Sequence, residues 1–156
     1  MTLLNAELHI NVSILKENIC YLKTKIDKKS HFLAVVKANA YGHSLKKFVE
    51  KLDDCVDGYA LVRLDEALQV RDLSKKPILL MQGIYDDDEA LIAKRNGFMC
   101  VLHTQEQIRT YSRNLENKNI WLKVNTGMNR LGFSENVLND LNPVSYTHLT
   151  LPTMLP

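Results

Sequence analysis

Proline, paired cysteines and unbalanced charge are what this 156-residue sequence has least of. Only Pro77 precedes position 143, so most of the chain is free to run in uninterrupted helices and strands. The cysteines Cys20, Cys55 and Cys100 stand far apart, with no CxxC or HxxxH partner. Neither a zinc site nor a disulfide framework is indicated, and each is expected to be a small buried hydrophobe in a reduced, cytoplasmic setting. Lys and Arg number 20 against 18 Asp and Glu, a net charge of +2. With scattered lysines, that balance leaves no footprint for nucleic acid. No apolar run reaches the roughly 18 residues a membrane span needs, and the N-terminus lacks a signal-peptide layout. His9, His31 and His103 have no carboxylate or cysteine at metal-ligand spacing, so no metal is expected and their roles are structural or at the surface.

What is present is a globular composition, 46% hydrophobic and 24% charged, sufficient for one core. Apolar blocks alternate between two periods. Leu4 to Ile10 reads as a strand, and a helix follows with Asn11 or Ser13 as its cap and Leu15, Ile19, Leu22 and Ile26 inward. Strand Phe32 to Val36 precedes a helix over Leu45 to Leu52, with Leu45, Phe48, Val49 and Leu52 inward. Strand Gly58 to Val62 precedes a helix from Asp65 that turns Ala67, Leu68 and Val70 to the core. Strand Ile78 to Met81 precedes a helix over Asp86 to Asn96, whose acidic start suits a helix N-terminus. Strand Phe98 to Leu102 precedes a helix from Thr104 to Asn114, and strand Ile120 to Val124 comes last. Such alternation predicts an α/β fold with a parallel sheet and crossover helices. An eightfold barrel needs roughly 250 residues. Five units fill part of one, and the pattern alone leaves a partial TIM-type barrel and an open doubly wound sheet both standing.

Lys37 ends the Phe32 to Val36 run, and a loop of small residues with Tyr41, Gly42 and His43 follows. An amine leaving the mouth of a buried strand is open to desolvation, which favours its neutral form and makes it a candidate to form an imine with a carbonyl cofactor. The string AVVKANAYGHS, Ala34 to Ser44, resembles almost letter for letter the pyridoxal-phosphate lysine motif of alanine racemases. WLKVNTGMNRLGF, Trp121 to Phe133, is similar to the stretch after the fifth barrel strand of that family. The segments Gly58 to Leu73, Ile78 to Glu89 and Cys100 to Ile108 resemble its second, third and fourth strand-plus-helix units, so the likeness runs from about Ala6 to Leu141. Two ordered motifs this far apart carry more weight than either alone.

The resemblance implies a (β/α)8 barrel, of which about five units are present, joined in the family to a C-terminal β-domain that this chain lacks. It implies a racemase interconverting L- and D-alanine for peptidoglycan synthesis, with pyridoxal 5'-phosphate as cofactor and a homodimer as the intact form. Lys37 would hold the cofactor and exchange the α-proton on one face. Tyr41 would bond the cofactor phosphate. Arg130 would touch the substrate carboxylate and the cofactor's phenolic oxygen, a task suited to a permanently charged fork. Lys123 matches a position often carbamylated in the family. The opposite-face base, a tyrosine of the missing domain, and the phosphate loops after the seventh and eighth strands lie beyond the chain. Asn125 departs from the family's commonest aspartate and Gln82 from a frequent glutamate, both as neutral near-isosteres. His43 receives no chemical role. This fragment is therefore expected to be inactive alone.

Three of the four prolines fall between Pro143 and Pro156, a stretch with no Asp, Glu, Lys or Arg. The string VSYTHLTLPTM, Val144 to Met154, resembles the translation of a sequencing adaptor. Residues 1–142 are thus read as the partial barrel domain and 143–156 as a non-native tail. A pyridoxal-phosphate homeostasis protein of the same fold type is the alternative, but its lysine motif lacks the continuation seen at Asn39 to His43. A racemase for another amino acid is a sibling reading.

Overall fold

Five of the six apolar runs read as strands become strands of a single sheet: β1 (Leu33–Val35), β2 (Gly58–Leu61), β3 (Ile78–Leu80), β4 (Met99–Leu102) and β5 (Ile120–Leu122). The computed structural model describes residues 7–114 and 120–134. All four strand pairings are parallel, in the order β1-β2-β3-β4-β5. That order decides between the two candidate architectures. A doubly wound sheet reverses part way, as in 3-2-1-4-5, whereas a barrel lays each strand beside the one before it. The sheet is singly wound.

The helix α1 (Val12–Lys23) precedes β1, and between the strands run α2 (Lys37–Tyr41), α3 (Leu45–Leu52), α4 (Leu64–Leu73), α5 (Asp87–Asn96) and α6 (Gln105–Asn114). Asn11 caps α1 by accepting the Ile14 N–H at 3.1 Å. Asp86 caps α5 by accepting the Glu89 N–H at 2.8 Å, and Gly97, with φ +64°, ends that helix. Helices cover one face of the sheet. There Tyr59, Leu61, Ile78, Leu80 and Leu102 pack with Val49, Leu52, Ala67, Val70 and Ala93. Each fully buried aliphatic side chain of this layer contributes about 1.5–3 kcal/mol.

The opposite face forms a separate cluster of Ala60, Leu79 and Val101 with Leu33, Met81 and Met99, and no helix residue belongs to it. Register explains the row, since Val35 pairs with Ala60, Ala60 with Leu79, and Leu79 with Met99. Helices outside and side-chain layers inside are the two faces of a barrel wall. The inner face opens at the sheet edges, where Val35 is 43% and Trp121 46% exposed.

Three expectations need correction. Glu7 to Ile10 form no strand: alternation makes a strand only where a ladder partner exists, and β1 pairs only with β2 among the described residues. The rest of that run, residues 1–6, lies outside the described residues. Leu22 and Ile26 are exposed rather than inward, because α1 stops at Lys23 and packs on the core through Val12, Leu15 and Ile19. Cys20 sits on the solvent side of the same helix and Cys55 is half-buried, so only Cys100 is the buried hydrophobe expected. Burial pushes the Cys100 thiol up to about 12, which keeps it protonated and unreactive. The proposed tail, 143–156, lies outside the described residues. No helix among them is long and apolar enough to cross a membrane.

Candidate active site

Lys37, Tyr41, Lys123 and Arg130 all lie beyond the C-terminal ends of strands, the end where barrel proteins place working groups. Lys37 opens α2, and this turn is left-handed. Ala38, Asn39, Ala40 and Tyr41 have φ between +52° and +54°. For L-residues the left-handed helix costs roughly 1–2 kcal/mol per residue, so four in succession carry about 4–8 kcal/mol that other contacts must offset.

The offsetting contacts are visible. Within the turn, the Ala40 N–H donates to Val36 O at 3.0 Å and the Gly42 N–H to Ala38 O at 2.9 Å. Gly42, at φ +84°, closes it. The Asn39 side chain accepts the Leu45 N–H at 2.8 Å, satisfying the start of α3, where Ser44 supplies no side-chain cap. Two further amides, Ala38 N–H and Asn39 N–H, donate to the Glu66 carboxylate at 3.3 and 2.7 Å. The turn also brings Lys37 and Tyr41 together, with Lys37 Nζ 5.9 Å from the centre of the Tyr41 ring. Lys37 is half-buried and Tyr41 exposed. On its other side Tyr41 borders an apolar groove of about 710 Å3 with Ile10, Ile14 and Phe48.

Lys123 leaves a pinned backbone. Its N–H donates to Leu102 O at 2.9 Å, and its carbonyl accepts the Phe133 N–H at 2.8 Å. Val124 bridges Phe133 in parallel, closing a loop over 125–132. Asn125 organises that loop from inside: its Oδ1 accepts the Gly127 N–H at 3.1 Å and the Asn129 N–H at 3.0 Å, and its Nδ2 donates to Asn129 Oδ1 at 2.8 Å. Gly132, at φ +121°, has no room for a Cβ, which would lie 2.8 Å from Asn125 N. Arg130 stands exposed on this loop. The two pairs are not brought together, since β1 and β5 are the opposite edges of the sheet.

Between the edges, strand mouths are tied to one another. Gln107, buried, accepts the His103 N–H at 2.9 Å and donates to Gln82 O at 2.7 Å. His103 Nε2 lies 3.2 Å from the same carbonyl, and Gln82 Oε1 accepts the Tyr85 hydroxyl at 2.9 Å. A cleft of about 520 Å3 opens there, lined by Arg63, Asp65, Gln82, Tyr85 and Glu89. Glu66, Gln107 and Asn39 are the positions that the sequence reading missed. For Gln107 a signal exists, because Thr104 and Gln107 have capping-box spacing. Glu66 and Asn39 serve a backbone conformation that no residue type announces.

Among the described residues no acidic partner lies within ion-pair distance of Lys37, Lys123 or Arg130, and the Tyr41 hydroxyl has no hydrogen-bond partner. Three cationic groups and a hydroxyl left available in this way suit a ligand bearing phosphate and carboxylate groups. In residue type alone, Lys37 with Tyr41 at one sheet edge match a phosphorylated carbonyl compound, and Lys123 with Arg130 at the other edge match a carboxylate. No group of three or more His, Cys, Asp or Glu among the described residues could hold a metal ion.

A singly wound parallel wall with its crossover helices on one face defines the class, a barrel-type α/β fold. Residues 10–143 match the family described as alanine racemase, N-terminal domain. This chain belongs to the alanine racemase family. It is 43% identical over 132 residues to the alanine racemase of Mannheimia succiniciproducens, covering 83% of this chain and 37% of that protein. The structure of alanine racemase from Acinetobacter baumannii superimposes with a TM-score of 0.76 at 31% identity, covering 83% of this chain and 37% of that one. Alanine racemase from Bartonella henselae, solved with covalently bound pyridoxal phosphate, gives 0.76 at 26% identity, covering 88% and 40%. A histidine racemase from Leuconostoc mesenteroides gives 0.68 at 29% identity, covering 79% and 34%. The chain thus spans little more than a third of the length of its curated relative.

Proposed function

We propose that this chain is the N-terminal barrel part of a pyridoxal-phosphate-dependent racemase that interconverts L- and D-alanine. The observation that carries the reading is the Lys37–Tyr41 turn, which sets an amine and a phenol 5.9 Å apart at a strand mouth inside a family match spanning 10–143. Lys37 would hold the cofactor covalently and carry a proton to and from the substrate α-carbon on one face. Tyr41 would donate its free hydroxyl to the cofactor phosphate. Arg130 would fork onto the substrate carboxylate, and Lys123, once carbamylated, would orient that guanidinium. When bound, pyridoxal phosphate withdraws electrons from the α-carbon. The residues need only position the amino acid and move protons. Racemisation requires a proton donor on each face, and the second is proposed to come from a C-terminal domain across a homodimer interface. Alanine is favoured by the 43% identical relative. A cytoplasmic role in supplying D-alanine for peptidoglycan follows from that substrate.

Turnover of the full-length protein tests this. Lys37→Ala should lower it by several powers of ten, since a covalent link and a base are both lost. Arg130→Ala should cost about 2–4 kcal/mol of transition-state stabilisation. Residues 1–156 alone should not interconvert the alanine enantiomers, and robust activity in them would overturn the two-domain reading. The same reading takes 143–156 as foreign to the domain, supported by the family match ending at 143. Reading the coding DNA past Asn142 tests that directly.

A further inference from the structure

Three crossover helices carry an acidic or amide residue at their third position: Glu66 in α4, Glu89 in α5 and Gln107 in α6. Two of them behave as capping residues do and reach back to the chain just ahead of their own helix. Glu89 accepts the Tyr85 N–H at 2.9 Å, and Gln107 accepts the His103 N–H at 2.9 Å. Glu66 does something else. It reaches into the neighbouring barrel unit and receives the amides of Ala38 and Asn39, 28 and 27 residues away. Its side chain is nearly enclosed, with the residue 9% exposed, and no cation is paired with it among the described residues. A carboxylate in such a place must be satisfied by hydrogen bonds, and these two amides supply them.

The Ala38 amide belongs to the peptide bond that follows Lys37. A carboxylate gripping it fixes the peptide plane that sets the direction of the lysine. Held also at Asn39, the turn stays left-handed although Ala, Asn, Ala and Tyr prefer the right-handed region. We infer that Glu66 is a positioning residue: through the Ala38 and Asn39 amides it holds the turn in its left-handed form, and so keeps Lys37 and Tyr41 aimed at one phosphorylated ligand. The ligand half of this statement rests on the reading of Lys37 proposed above.

Glu66→Gln in the full-length protein tests it, because Gln keeps the volume but presents an NH2 to one of the two donors. Hydrogen exchange in the cofactor-free protein should speed up by about tenfold or more across 37–43, the loss expected when a charge-assisted bond is removed, and stay unchanged elsewhere. Affinity for pyridoxal phosphate, titrated by visible absorbance, should fall by a similar factor. Glu106→Gln, an exposed control in α6, should alter neither. Unchanged protection of the turn in Glu66→Gln, or loosening spread evenly over the fold, overturns the inference. Should borohydride place no cofactor label on Lys37 in the wild type, the proposed function fails and the ligand half falls with it. The exchange data then still decide whether Glu66 holds the turn.

Discussion

Asn125 organises the loop over 125–132 through contacts that an aspartate could also make. Two of its three bonds use Oδ1 as an acceptor for the Gly127 and Asn129 amides, a role a carboxylate fills equally well. The third, Nδ2 to Asn129 Oδ1, is recovered if the Asn129 amide turns over and donates instead. Asn125→Asp should therefore change stability by less than about 1 kcal/mol, whereas Asn125→Leu strands two backbone donors and should cost about 1–3 kcal/mol. Urea midpoints of the two variants in the full-length protein check this, and equal losses would count against the loop's being built around Oδ1. Residue identity singled out Lys37, Tyr41, Lys123 and Arg130 as candidates because they sit in strings that resemble a family's motifs. Glu66 was not legible, since its partners are backbone amides and it lies 28 residues from the first of them.

At the level of elements, Asp57 ties three together. Its Oδ1 receives Lys23 Nζ from the last turn of α1 at 2.7 Å, its Oδ2 receives the Phe32 N–H ahead of β1 at 2.7 Å, and its own backbone leads into β2. Lys23, then the Phe32 amide, hold its carboxyl below the usual carboxylate range. A group whose folded pKa is depressed contributes stability above its unfolded pKa and loses it as pH falls through the folded value. The tie should thus be fully present at neutral pH and weaken as pH drops below about 4. Asp57→Asn should lower stability by about 1.5–3 kcal/mol at pH 7 and flatten the acid limb of the stability curve, measured by urea titration. An unchanged acid limb would show that Asp57 is not the group responsible. Strand and helix positions were readable within a residue or two because buried parallel strands are continuous apolar runs. The exceptions have physical causes. Leu4 to Ile10 alternates without a described ladder partner, Leu22 and Ile26 pass the point where α1 leaves the core, and α2 adopts a hand that Ala, Asn and Tyr do not announce.

The whole molecule, over its described residues, is a barrel wall with helices on one side and an inner apolar layer on the other. Strand order, not composition, separated this from a doubly wound sheet, which is why the sequence pattern alone left both standing. At its edges β1 and β5 each pair on one side only among the described residues, and Val35 and Trp121 on the inner face are 43% and 46% exposed. Unpaired parallel edges and apolar patches promote association. The 156-residue chain should therefore bind a hydrophobic dye and self-associate on gel filtration, and a cooperative, monomeric melt without dye binding would argue otherwise. The central claim concerns Lys37, and one measurement reaches it most directly: borohydride reduction of the full-length protein with pyridoxal phosphate, followed by peptide mapping. The account predicts the reduced cofactor on Lys37 alone; a label on Lys123 or any other lysine, or no label, would contradict it.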